Sequence, residues 1–568
     1  MNVTKKMRIL CLLLSLLLLL AACGSDGGSS SSNSTADEGG DGGSADEVVD
    51  YVNPAGEFPI VNEEITLRFI VPQDTNIENY DTNYYTNWLE EKSGINLEFD
   101  VIPSADMAQK VQLQLASFTD LPDAIIGVGR VGSPIFNTTN IVKYGSEGQL
   151  IPLNDLIDTY GENTKALFAK YADDKLEQIM TSADGNIYYM PGYGPAIVNR
   201  SSAVYWINKG WLDNLGLEAP STTEELYDVL NAFKTQDPNG NGKADEIPLV
   251  GTTENFNASY SGYDYLLGSF LVNNTQNHRL TYDENGQLQY APISDEWREA
   301  MIYLNRLTTE GLFSPLTFTQ DQTSLKQIVN DSNDICGGFV ALGIGLVAQP
   351  NDQEILSRYV AVEPLEGPNG VQTSVLIIPT ASANAVITSA CEYPEAAFRL
   401  FDLMLGEEAS TISRYGEKGV HWDDPDEGQL SRYDTPATMK ILDSIWMTMQ
   451  NTHWMNYCPF VNDIHNDGSA KVSDEDPETV NAVSSLKYME YEPTNTVPVL
   501  IYQLDEVETI SEITTNLTEY MYETIAKFAV GEMDPNDDAT WERYLAEFEV
   551  IGLPAFMELS QAAFERME

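Results

Sequence analysis

Positive charge, histidine and cysteine are all scarce in this 568-residue chain, and each shortage removes a class of function. Thirty Lys and Arg stand against 87 Asp and Glu, a formal charge of −57. Such a surface repels phosphate backbones and anionic headgroups, and no basic patch offsets it, so nucleic-acid binding is excluded. The four histidines (His278, His421, His453, His465) include no i, i+4 pair, and no H-E-x-x-H zinc helix exists. A G-x-S-x-G nucleophile elbow and a Walker A loop are also missing. Of five cysteines, Cys11 and Cys23 fall in the N-terminal segment. Cys336, Cys391 and Cys458 remain, which allow at most one disulfide and fit no metal cluster. Apolar residues make up 42% of the chain, enough for a large core, and the length suits two large lobes.

Long apolar runs are missing too, with one exception at the start. Lys5, Lys6 and Arg8 precede an apolar stretch from Ile9 to Leu20, too short to span a bilayer but suited to the core of a secretory signal. It ends in Leu20-Ala21-Ala22-Cys23-Gly24, the pattern of a bacterial lipobox. Residues 1–22 are therefore expected to be a lipoprotein signal peptide, with Cys23 acylated (a palmitate-type anchor). Cleavage removes three positive side chains and takes the charge from −57 to −60. Residues 23–55 read as the lipidated Cys and a flexible Gly-, Ser- and Asp-rich tether.

From Glu64 onward the pattern is regular. Ile65–Val71 and Ile95–Ile102 alternate as strands, a helical stretch through Tyr85 and Leu89 lies between them, and Asp123–Gly127 reads as a short buried strand after a helix near Val111–Ala116. Alternating strands and helices predict an α/β sheet. Further helices are expected near Glu224–Phe233, Glu296–Leu307, Pro394–Leu405, Glu512–Phe528 and Trp541–Phe548, the first with a capping box in Ser221–Glu225. The expected architecture is two α/β lobes, with several chain crossings. The first takes residues 56–190 plus about 365–435, the second 191–364 plus about 436–568.

One motif points to a metal. Asp237, Asn239 and Asn241 place oxygens at alternate positions, Gly242 permits a sharp turn, Lys243 offers its carbonyl, and Asp245 and Glu246 add carboxylates. Calcium takes six to eight hard oxygens, and this spacing matches the first part of an EF-hand loop. Pro248 stands where an EF-hand carries its bidentate Glu, so a helix-loop-helix sensor is excluded. The expected cofactor is a structural calcium ion.

The lipobox, Trp88–Ile95, Leu121-Pro122-Asp123, Ala183–Tyr188, Trp211–Leu217, the acidic loop, Pro394–Ala397 and Tyr415–Trp422 occur in an order that resembles the family 1 extracellular solute-binding lipoproteins of ABC importers. The likeness is to their large oligosaccharide-binding branch. It implies a type II-like periplasmic-binding-protein fold, two lobes on a hinge, a sugar closed between them, and calcium on Asp237, Asn239, Asn241, Lys243, Asp245 and Glu246. The family commonly has a Gly in the turn occupied here by Phe118-Thr119.

Sugars stack their apolar C–H faces on aromatic rings, and the chain has 29 Tyr and 8 Trp. Trp88, Trp211, Trp297 and Trp541 fall on helical patterns and read as core. Tyr193, Trp422, Trp454 and Tyr457 lie in Gly-, Asn- or Pro-rich loops, and Tyr263 clusters with Tyr260 and Tyr265; these five are the expected ligand contacts. The reading is a non-enzymatic, monomeric receptor on the outer face of the cytoplasmic membrane, handing an oligosaccharide to ABC permease subunits, with ATP hydrolysed elsewhere. A secreted glycoside hydrolase, using two of the many carboxylates, is the rival; a peptide-binding receptor of the same fold is the second.

Overall fold

The computed structural model describes residues 49–127, 136, 138–200, 202–254, 258–349, 352–375, 377–446, 448–463 and 467–567. The signal segment, Cys23 and most of the tether lie outside the described residues.

The opening strand–helix–strand reading holds. β1 (Ile65–Gln73) pairs parallel with β2 (Ile95–Pro103), Ile65 opposite Ile95, and β1 also pairs parallel with β3 (Ala124–Ile126). β1 is flanked on both sides, and six of its nine residues are apolar. β4 (Met190–Tyr193) continues the sheet later, followed by β5 (Val204–Asn208), the hairpin β6 (Leu280–Tyr282) and β7 (Leu288–Tyr290), β8 (Gly338–Ala341), β9 (Tyr359–Val362), β10 (Ser382–Ile387), the pair β11 (Trp422–Asp423) and β12 (Lys440–Ile441), and β13 (Phe460–Val461). The first sheet has the order β13-β4-β10-β3-β1-β2, the second β8-β5-β9. β10 runs antiparallel between β3 and β4.

The predicted helices form where their apolar spacing places them: Thr223–Thr235, Asp295–Thr309, Pro394–Leu405, Val507–Val530 and Asp538–Ile551. Thr222 caps the first of these by accepting from Glu225 N, while the Glu225 carboxylate accepts from Ser221 N and Oγ, a reciprocal cap. Phe118 closes the helix Ser104–Ser117 in the left-handed region at φ +52°, the conformation that a Gly there would adopt without strain. Among the described residues no helix is long and apolar enough to cross a membrane. Cys336, Cys391 and Cys458 are buried free thiols.

Two hydrophobic cores divide the chain. The first gathers residues from Val52 to Tyr193 and again from Ala383 to Cys458; the second runs from Ala203 to Val375 and from Tyr488 to Met567. The backbone passes between them three times: between Tyr193 and Ala203, Val375 and Ala383, and Val461 and Val480. The first passage lies just past residue 190, and the later two fall after residues 365 and 435, where the sequence places its boundaries. Val375 packs in the second core, while Trp454, Met455 and Cys458 pack in the first, because the loop that carries them is wedged beside β1 and β10.

Candidate ligand cleft

Open sheets with parallel strands bind ligands outside the carboxyl ends of those strands. β1 ends at Gln73, and the next residue, Asp74, accepts a hydrogen bond from the Tyr457 hydroxyl at 2.7 Å. Gly127 directly follows β3 at φ +78°, and a Cβ there would come within 2.9 Å of Pro72 and Tyr457, so only Gly lets the three segments meet. The loop bearing Tyr457 is held from below by Asn384 of β10, whose Nδ2 donates to the Asn456 and Cys458 carbonyls at 3.0 and 2.8 Å. Met455 and Asn456 are both left-handed, with φ of 53° and 56°, a strained pair of the kind found at binding sites.

A cleft of about 250 Å³ opens between the lobes. Arg414, Tyr415 and Trp446 line it from the first lobe, Gly345, Leu346 and Asn481 from the second. The Arg414 guanidinium lies over the Trp446 ring at 4.2 Å, and Trp446 stacks on His453 at 5.9 Å. Burial, with Arg414 and His421 nearby, pushes the His453 imidazole down to about 3, so it is neutral at physiological pH. Asn481 is fixed by accepting from Ile344 N at 2.9 Å.

The expected ligand residues separate on inspection. Tyr457 is half-buried at the carboxyl edge just described. Tyr263 is buried, but its ring lies nearly parallel to Phe318 (6.2 Å, 11°), and both line a cavity of about 390 Å³ in the second lobe with Thr253, Glu519 and Tyr522. Tyr193 is fully buried; its hydroxyl donates to Asp174 at 3.0 Å and its ring meets Tyr171, which lines a further cleft with Tyr433 and Asp467. Trp422 is buried in β11, its indole N–H donating to the Gly416 carbonyl at 2.8 Å. Trp454 has no exposed surface: Tyr80, Tyr85 and Phe99 enclose it, and its indole N–H donates to Thr86 Oγ1 at 3.0 Å. Its surroundings are those of a core side chain. Asp74, Arg414 and Trp446 went unrecognised in the sequence; the one signal was Trp446 in a short loop without helical periodicity.

The acidic loop leaves the helix Thr223–Thr235 and runs into an extended segment whose Ile247 and Val250 bridge to Cys336 and Phe339. Its side-chain oxygens accept hydrogen bonds from the loop's own N–H groups. The Asp237 carboxylate accepts from Gly242 N at 3.1 Å, Asn239 Oδ1 from Asn241 N at 3.1 Å, Asn241 Oδ1 from Lys243 N at 2.8 Å, and Asp245 from Asn241 Nδ2 at 3.0 Å. Glu246 Oε1 is buried with no partner, and burial, reinforced by Asp245 and Asp237, pushes its carboxyl up. Among the described residues no three His, Cys, Asp or Glu side chains are gathered as a metal site.

Comparison with known proteins gives a nearly full-length curated relative. The fructooligosaccharide ABC transporter substrate-binding protein FusA of Streptococcus pneumoniae is 26% identical over 542 residues, covering 91% of this chain and 93% of FusA. Among solved structures, an S. pneumoniae FusA EF-hand mutant in complex with fructo-nystose aligns with a TM-score of 0.70 at 23% identity over 88% of this chain and 99% of that one. An HMO-binding, ABC-transporter-associated solute-binding protein of Bifidobacterium longum infantis aligns with 0.74 at 18% identity over 88% and 99%. The two-lobed solute-binding fold is thereby established. The profile of the bacterial extracellular solute-binding proteins matches residues 73–411, and the chain belongs to that family.

Proposed function

We propose that this chain is a lipid-anchored extracellular receptor that captures an oligosaccharide between its lobes and delivers it to ABC permease subunits without chemically changing it. The observation that carries the reading is the interlobe cleft, where Arg414, Tyr415 and Trp446 face Asn481 across the lobe boundary. Rings and planar polar groups are what a sugar needs, since its C–H faces stack and its hydroxyls seek hydrogen bonds. The three passages of backbone give the hinge about which such lobes close. FusA and the Bifidobacterium protein bear names of oligosaccharide binders, which supports the same class of ligand here. Cys23 in its lipobox is the proposed anchor.

The donor set of the acidic loop fits calcium. A buried carboxylate oxygen without a partner, beside two further acids, is satisfied by a hard cation. Asp237, Asn239, Asn241, the Lys243 carbonyl, Asp245 and Glu246 would hold it, and the ion would neutralise charge and fix the turn. That one solved FusA form is described as an EF-hand mutant supports this assignment.

The test is a thermal-shift screen of the purified protein in calcium buffer against oligosaccharides, monosaccharides and peptides, with the glycans recovered and analysed by chromatography. Saturation at a hundred times Kd adds about 2.7 kcal/mol of stability. A shift from glycans returned intact is expected. Consumption of the glycan would move the assignment to a hydrolase, and a shift from peptides alone would discard the sugar.

A further inference from the structure

The cavity of about 390 Å³ in the second lobe is built of aromatic rings and acids. The helix Val507–Val530 lends it Glu519, Tyr522, Glu523 and Ala526, spaced i, i+3, i+4 and i+7 and so on one face. Tyr263, Phe318 and Thr253 complete the described lining. The rings are fixed by their neighbours. Tyr263 and Phe318 lie nearly parallel, 6.2 Å apart at 11°, and Phe313 meets Phe318 edge to face at 6.1 Å. Tyr522 accepts a hydrogen bond from Arg279 Nη2 at 3.4 Å.

The charges around these rings are of one sign. Glu519 and Glu523 line the cavity, and no lysine or arginine is among its described lining residues. Like charges four apart on a helix repel. Glu523 is relieved by an exposed pair with Lys527, which is worth little, while among the described residues Glu519 has no hydrogen-bond or ion-pair partner. Arg279, 6.0 Å from the centre of the Tyr522 ring, is itself neutralised by Asp264 at 2.6 Å, with both side chains buried. The described residues gather no three acids here of the kind a metal ion would need. A neutral sugar could use the rings but would leave the carboxylates unbalanced. The face of an aromatic ring carries negative potential, and carboxylates beside it add to that potential. The complement is a weakly hydrated cation whose charge is spread over alkyl groups, since these pack on rings while the charge is balanced by the acids.

We propose that the second lobe carries a separate site for a small organic ammonium ion, its alkyl groups received by Tyr263, Phe318 and Tyr522 and its charge balanced by Glu519 and Glu523. None of these residues lines the interlobe cleft, so the site stands independently of the oligosaccharide reading.

Calorimetric titration of the purified protein at low salt with choline, tetramethylammonium and dimethylbutanol, the uncharged carbon isostere of choline, tests it. Both cations are expected to bind, with choline preferred to the alcohol by about 10-fold or more. Phe318→Leu keeps an apolar side chain but removes a ring, and should erase most of that preference. Glu519→Gln should weaken both cations by about 3-fold and flatten their dependence on salt. Tyr263 is buried and its variants can fail to fold, so half-buried Phe318 and exposed Glu519 carry the test, each variant with a melting curve. Binding of the alcohol as tightly as choline would overturn the cation assignment. Cation binding unchanged in both variants would overturn its placement in this cavity, and binding of neither cation by the parent protein would overturn the site itself.

Discussion

The Tyr457 hydroxyl donates to Asp74 Oδ2 across 383 residues of sequence, joining the end of the first strand to a loop that enters the first lobe after the chain has visited the second. Trp454, three residues earlier in the same loop, faces the opposite way, into Tyr80, Tyr85 and Phe99. One loop thus supplies both a core anchor and a half-buried side chain tied to the end of β1.

Tyr457→Phe and Trp454→Ala should therefore behave differently. The first removes an intramolecular hydrogen bond to a carboxylate and should cost at most about 1.5–3 kcal/mol of stability, while weakening glycan binding roughly 10-fold through the freed Asp74 edge. The second empties a core site and should cost about 3–5 kcal/mol of stability. Equal effects on both readouts in both variants would refute the division of the loop.

Calcium should raise the melting temperature, and a chelator should return it. Glu246→Gln is expected to stabilise the metal-free protein, because it removes a buried unpaired charge, and to diminish the gain from calcium. Differential scanning calorimetry with and without chelator measures both. A variant that gains as much from calcium as the parent would remove Glu246 from the ligand set.

His453 makes stability depend on acidity. Its folded-state value of about 3 lies below the usual 6.5, so between those values the unfolded chain binds the proton and the folded chain does not. Stability on this account falls as pH drops from about 6.5 toward 3, by up to about 1.4 kcal/mol per pH unit. Urea denaturation at pH 7 and pH 5 should show a smaller loss for His453→Gln than for the parent.

Asp467 has the opposite sign. Burial, with Asp463 adding to it, pushes its carboxyl up to about 6, so from about 4 to 6 the folded chain holds a proton that the unfolded chain has released. Stability from this group is lost as pH rises through that window. Asp467→Asn keeps an acceptor for Ile197 N and removes the charge. Allowing for solvent screening, it should gain on the order of 1–2 kcal/mol at pH 7.5 and little at pH 4. A gain equal at both pH values would contradict the assignment.

Local pattern made much of the fold legible. β1, β2 and β3 announce themselves by alternation and β-branched content, and Pro394–Leu405 begins at its proline and ends before Gly406. What sequence could not supply were partners far along the chain. Trp454 reads as a loop aromatic because Thr86, its hydrogen-bond acceptor, is 368 residues away. Trp422 and Tyr193 share that loop context in the sequence and are buried in the fold by residues far along the chain. Arg414 ends the helix Glu407–Tyr415 with a basic residue in its last turn, an ordinary position that gave no hint of Trp446 beneath it. The acidic loop was readable because all its donors lie within ten residues.

β10 is the strand that joins β3 to β4, yet it is synthesised after the entire segment from Ala203 to Val375. A chain emerging N-terminus first therefore holds β1–β3 and a lone β4 unjoined, each with an open edge, while the second lobe is still arriving. That lobe in turn waits for Val507–Val530 and Leu553–Glu565, the last helices made. Neither core can close on a nascent fragment, so folding is postponed until almost the whole polypeptide has been delivered.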